Sequence, residues 1–176
     1  CVQLQEIQDD LAGSYRLANN IDCSDTVNWN GAKGFLPIGE EGNGFTGTLD
    51  GDNFEIQNLT IIRADDLPGG GPDDEENIGL FSHTYLATIT DLHITDSIIK
   101  GYRFVGGIAG QAIQTTISSS SVNDGVLDNN CSPGDCVWAR YGEYGGGLVG
   151  YMGGGSITSS STGGPVKGSG NIIGGL

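Results

Sequence analysis

A glycine followed by apolar residues recurs along the second half of the chain: Gly79-Leu80-Phe81-Ser82, Gly107-Ile108-Ala109-Gly110, Gly147-Leu148-Val149-Gly150 and Gly175-Leu176. The leading glycines are 28, 40 and 28 residues apart, a period of 28 with one insertion of 12. Other positions keep the same phase. Ten residues past each anchor stand Ile89, Ile117 and Ile157; fifteen past stand Ile94, Val122 and Thr162; nineteen past stand Ile98, Val126 and Val166. All are β-branched and fit a pleated, half-buried surface. Thirteen past the anchor the column is Leu92, Ser120 and Ser160. Runs such as Ser118-Ser119-Ser120-Ser121 make poor helices. A period of this size marks an array in which each repeat buries its apolar face only against a neighbour. The pattern predicts an all-β chain: a parallel β-helix (β-solenoid) with coils of about 28 residues over 78–176.

Residues 1–62 read differently, as an N-terminal cap with the first coils. Val2, Leu4, Ile7 and Leu11 share a helical face. Tyr15 to Ile21 reads as a strand, Phe45 to Phe54 as two strands joined by an Asp-Gly turn, and Ile56 to Ile62 as a further strand. Residues 63–77 are poor in apolar groups and read as an acidic loop leaving the wall; the insertion near 127–144 is a second protrusion. The chain shows no signal sequence at its start. It stops as a fourth anchor begins, which predicts that the native polypeptide continues or that another subunit covers this end.

Composition narrows the function. Seven Lys+Arg face 22 Asp+Glu, a net charge of −15. Nucleic-acid binding needs a basic stripe, and the sequence has none. No apolar run approaches the roughly 18–20 residues of a membrane span. Of the four cysteines, Cys131 and Cys136 flank a Pro-Gly turn, which suits a local disulfide and leaves Cys1 to pair with Cys23. Three connectivities exist on paper; this one is the least demanding geometrically. Two disulfides imply an oxidising compartment.

Several segments in order resemble bacterial proteins that carry GLUG repeats: Gly13-Ser-Tyr-Arg-Leu-Ala-Asn-Asn-Ile-Asp-Cys-Ser24, Gly34-Phe-Leu-Pro-Ile-Gly39, Phe45-Thr-Gly-Thr-Leu-Asp-Gly51, Ile56-Gln-Asn-Leu-Thr-Ile61 and Gly146-Gly-Leu-Val-Gly150. The resemblance covers nearly the whole chain. It implies a right-handed β-helix domain of large secreted or cell-surface, adhesin-like proteins. The repeat's structural positions fall on Gly79, Leu80, Gly107, Ile108, Gly110, Gly147, Leu148 and Gly150, and the family supplies no catalytic residues. Ser82 departs from the pattern, standing where the first repeat would close with glycine.

Candidate chemistry is sparse. Asp65, Asp66, Asp73, Asp74, Glu75 and Glu76 form the densest carboxylate cluster. It is read either as a solvated acidic loop or as oxygen ligands for calcium. Trp138, Arg140, Tyr141 and Tyr144 on the insertion offer a binding surface for glycans or proteins. Asp91, Asp96 and Asp124 lie in or near strands with Lys100 and Arg103 close by, but no acid pair recurs on one face as a glycoside-cleaving site requires. His83 and His93 have no third ligand in view. The expectation is a non-enzymatic extracellular structural or adhesive rod that requires no cofactor. Its partners would be neighbouring repeats or subunits at the C-terminal end, with glycans or proteins at the loops. The alternatives are a subunit of an end-to-end filament and a carbohydrate-active β-helix enzyme.

Overall fold

The computed structural model describes residues 1–63, 76–101, 103–123, 126–128, 144–163, 166–167 and 172–174. The fold is all-β, and its strands fall into four sheets that we letter A to D. The chain enters A at β1 (Ser14–Arg16) and B at β2 (Ile21–Asp22). A second passage runs through β3 (Thr48–Asp50) in A, β4 (Glu55–Gln57) in B, β5 (Thr60–Ile62) in C and β6 (Asn77–Ile78) in D. The third uses β7 (Phe81–Tyr85) and β8 (Thr88–Thr90), then β9 (His93–Thr95), β10 (Ile98–Lys100) and β11 (Phe104–Val105). The fourth uses β12 (Ala109–Ser118), β13 (Ser121–Asn123), β14 (Val126–Asp128) and β15 (Tyr144–Gly146). The last uses β16 (Val149–Thr158), β17 (Ser161–Thr162), β18 (Val166–Lys167) and β19 (Ile172–Gly174). Every ladder between these strands is parallel.

The sequence columns reappear as registers. Ile117 lies opposite Ile89 on one side and Ile157 on the other. Val122 lies opposite Ile94 and, beyond it, Thr162. Ile89, Ile94, Ile117 and Val122 are buried in one continuous core with Leu49, Ile56, Phe45 and Phe81. The column nineteen past the anchor needs correction. Ile98 is 41% exposed, while Ile99 is fully buried. At the corner, Asp96 has φ 51° and the buried Ser97 takes the inward place, which sends Ile98 outward. Val166 also lies opposite Leu127 rather than Val126.

The anchor glycines serve close approach. A Cβ on Gly107 would lie 2.6 Å from a Val122 methyl, and one on Gly147 would strike Thr162. The left-handed corners fall largely to other residues: Asp91, Ser119 and Ser159 (φ 50°, 49° and 50°) occupy one column. Asp and Asn tolerate that conformation better than most side chains. After each serine corner comes a serine whose hydroxyl stitches two passages together. Ser120 Oγ donates to Ser118 O at 2.8 Å and accepts the Leu92 N–H at 3.2 Å. Ser160 Oγ does the same with Thr158 O at 2.8 Å and the Ser120 N–H at 3.1 Å.

In the N-terminal region, a turn of α-helix (α1, Val2–Gln5) runs on as a 3-10 turn at Glu6–Asp9. Leu4 and Ile7 are buried, but Val2 is 61% exposed and so lies off the inward face. The Cys1–Cys23 disulfide ties this segment to the end of β2; Cys131 and Cys136 lie outside the described residues. Three predicted strands are broken by corners. Tyr15 to Ile21 divides into β1 and β2. Ile56 to Ile62 breaks at Asn58, whose φ is 59°. The Phe45–Phe54 stretch is no hairpin: β3 pairs in parallel with β1 and β8, and Asp52 and Asn53 turn the chain into β4.

Ile117→Ala should lower the unfolding free energy by about 2–4 kcal/mol. Ser120→Ala, which strips the buried Leu92 N–H of its acceptor, should cost about 1–3 kcal/mol. The exposed Thr116→Ala should stay within about 0.5 kcal/mol. Denaturant titration of the three variants checks this, and equal effects would contradict the register.

Candidate functional site around the Gly39–Gly44 hairpin

On one side β7 is held by two residues of the preceding passage. Ile38 bridges to Phe81 and Phe45 to Thr84. The Phe45 N–H donates to His83 O at 2.9 Å, and the Tyr85 N–H to Phe45 O at 2.9 Å. Between these two points residues 39–44 leave the wall and return as a small hairpin. Glu40 and Asn43 close it with reciprocal backbone bonds of 3.1 and 3.0 Å. Gly39 and Gly42 take φ of 80° and 81°, which side chains resist. The cap fastens the root, because Gln8 Oε1 accepts the Gly39 N–H at 2.7 Å.

The hairpin separates two grooves of about 600 Å3 each. Gln8, Glu40, Glu41 and His83 border both. His83 is 8% exposed, and its Nδ1 lies 3.0 Å from Ser82 Oγ. Burial holds its pKa below the ordinary histidine value, against the opposing pull of the Glu41 charge and a hydrogen bond to Gln111. One groove opens toward Lys33, Arg63 and Glu76. There the Arg63 guanidinium donates to the carbonyls of Lys33, Ile62 and Phe35, which clamps the 33–35 segment to the end of β5.

The corner between sheets C and D carries both long connections, since the chain links β5 to β6 and β14 to β15 there. Its described side chains form a continuous stack. Glu76 receives Arg103 Nη1 on both carboxylate oxygens at 3.1 Å, and the Arg103 guanidinium lies 5.0 Å from the Phe104 ring centre. Phe104 stacks on Tyr144 at 5.3 Å with 17° between the rings, and Tyr151 closes on both at 5.5 and 6.3 Å. Tyr144 and Glu76 thus meet at one corner, joined through Arg103 and Phe104. Asp65, Asp66, Asp73, Asp74, Glu75, Trp138, Arg140 and Tyr141 lie outside the described residues. Among the described residues no group of three His, Cys, Asp or Glu side chains is placed to hold a metal ion.

The acids singled out for catalysis do other work. Asp91 and Asp96 turn left-handed corners. A Ser–His contact exists on the outer face of sheet B, with His93 Nδ1 2.8 Å from Ser121 Oγ. Ser121 is buried, and Asn123 Nδ2 also donates to its Oγ at 3.0 Å. Glu55, opposite His93, instead accepts from Gln57 Nε2 at 2.6 Å. This is a polar ladder along a wall.

The sequence reading missed Gln8, Glu40 and Glu41 and treated His83 as unremarkable. The available signal was the run Gly39-Glu-Glu-Gly-Asn-Gly44, with three glycines in six residues between two apolar anchors.

No protein-family model matches the chain, and no solved structure matches it significantly. It is 36% identical over 99 residues to halomucin of Haloquadratum walsbyi, which covers 54% of this chain and 1% of that protein. It is 28% identical over 135 residues to an immunoglobulin A1 protease of Streptococcus sanguinis, covering 77% of this chain and 6% of the other. The chain therefore spans a small fraction of each relative.

The depressed pKa of His83 sets a sign. The unfolded chain takes up a proton as pH falls through about 6.5, whereas the folded chain resists it. His83 therefore contributes stability above that pH and loses it below. In melts across this range, wild type should lose stability on acidification relative to His83→Gln. Parallel curves would contradict the assignment.

Proposed function

We propose that this chain is a non-enzymatic module of an extracellular protein: a right-handed parallel β-solenoid of the GLUG-repeat type that forms a rigid rod and presents surface features from its wall. The observation that carries this reading is the return of the chain to sheets A, B, C and D in the same order, with ladders such as Ile89–Ile117 offset by 28 residues. Right-handedness follows from the strong preference of parallel crossovers for that hand. Stacked repeats of this kind make quasi-one-dimensional bodies whose stability adds from neighbour to neighbour. The rod is the working part, and the hairpin grooves and the stacked corner are what it holds up to partners.

An extracellular setting is supported by the Cys1–Cys23 disulfide, which persists in oxidising compartments. It is supported also by the name of one relative, a protease of immunoglobulin A1, itself a protein found outside cells. That peptidase matches over 6% of its length, which favours a shared accessory segment over a shared active site. End-to-end filament assembly is the weaker reading, because the cap occupies the first edge: Leu4 and Ile7 are buried against the core where a second copy would have to add.

Electron microscopy of the native protein, without refolding, tests the reading. Isolated short rods, rising about 4.8 Å per passage, are expected. Long filaments would favour the assembling subunit, and round particles would overturn the solenoid.

A further inference from the structure

We propose that the groove between the N-terminal cap and the Gly39–Gly44 hairpin binds an extended, arginine- or lysine-bearing segment of a partner protein. The proposal goes beyond the rod reading and does not depend on it. The rim carries four carboxylates: Asp9 and Asp10 from the cap, Glu40 and Glu41 from the hairpin. No lysine or arginine is among the described residues that border it, whereas the groove on the other side of the hairpin has Lys33 and Arg63. The negative field acts on neighbouring groups. The Tyr15 hydroxyl titrates high, first from burial and then from the charges of Asp10 and Asp9.

The floor is apolar. Leu11, Tyr85 and Ile113 line it, and Tyr85 is 48% exposed although it sits in a strand over the core. Beside it Leu86 is 59% exposed at φ 54°. A large apolar side chain held outward in that conformation is costly and points to a contact surface. Acidic rim and apolar floor together match one kind of side chain. Arginine and lysine lay their methylene stems along apolar surface and keep the charged head at the polar edge. A guanidinium adds bidentate carboxylate pairing and stacking on a tyrosine ring. The volume of about 600 Å3 accommodates several residues rather than one side chain. Rigid walls help: the cap is tied by Cys1–Cys23, and the hairpin is fixed to the cap through Gln8. A preformed groove loses little entropy on binding.

The test is calorimetric titration of the full chain at low ionic strength with an end-blocked tri-arginine peptide. Two double variants are compared. Glu40→Gln with Glu41→Gln removes rim charge without touching the hairpin's backbone bonds. Asp91→Asn with Asp96→Asn removes the same charge from a distant wall, at corners asparagine also tolerates. The rim variant should weaken binding about tenfold, and the distant one less than about twofold. Tyr85→Ala should weaken it at unchanged net charge. Equal losses in the two double variants would reduce the effect to the protein's overall negative field. Spermine binding as tightly as the peptide would make the groove a polyamine site, and no peptide binding would end the proposal.

Discussion

A parallel backbone ladder needs each strand to return to its neighbour after a crossover of fixed length, and here that length is 28 residues. The ladder supplies the hydrogen bonds of the core strands, and it also lines up the inward side chains. Ile117 rests between Ile89 and Ile157, and Phe45 stacks on Phe81 at 4.6 Å. The corners make this possible. At each one the chain passes through a left-handed residue, and the ladder loses a regular partner for the next N–H. A serine hydroxyl then supplies the missing acceptor, as Ser120 does for Leu92 and Ser97 does for Leu59. Small hydroxyl residues in the interior are therefore structural, even though they dilute the apolar core.

The same constraint explains where surface features arise. Extra residues can leave the wall only where the ladder tolerates a gap and the chain resumes its place. The Gly39–Gly44 hairpin satisfies this by anchoring at Ile38 and Phe45 on either side. The insertion between β14 and β15 satisfies it by resuming at Tyr144, directly opposite Phe104. Decoration is thus independent of the core, which lets one stack carry differing loops. Charge is distributed to match. The acidic groove is built from the cap and one hairpin, whereas Arg63 and Arg103 serve internal clamps at the opposite corner.

The repeat was legible because its markers are of unusual types: a glycine that close approach demands, and β-branched residues that alternate inward. Leu80, Ile108 and Leu148 are all buried as the period predicts. The corners were not legible, because Asp91, Gln114 and Ser119 resemble ordinary surface residues until their φ is known. That gap produced the misplacement of Ile98, since a left-handed residue shifts the in–out alternation by one. It also merged β1 with β2 and β4 with β5. The hairpin site escaped notice because its residues come from segments 30 or more apart, Gln8 bonding Gly39 across a separation of 31. Only stacking brings them together.

The most direct measurement is the unfolding of two deletion variants. Removing residues 93–120 takes out one whole period of 28 and joins Leu92 to Ser121, which lies directly opposite His93 in the ladder. Removing residues 93–106 takes out half a period and leaves every later strand facing the wrong sheet. In-register stacking predicts a cooperative, β-rich melt for the first deletion and none for the second. Similar melts for both would contradict it.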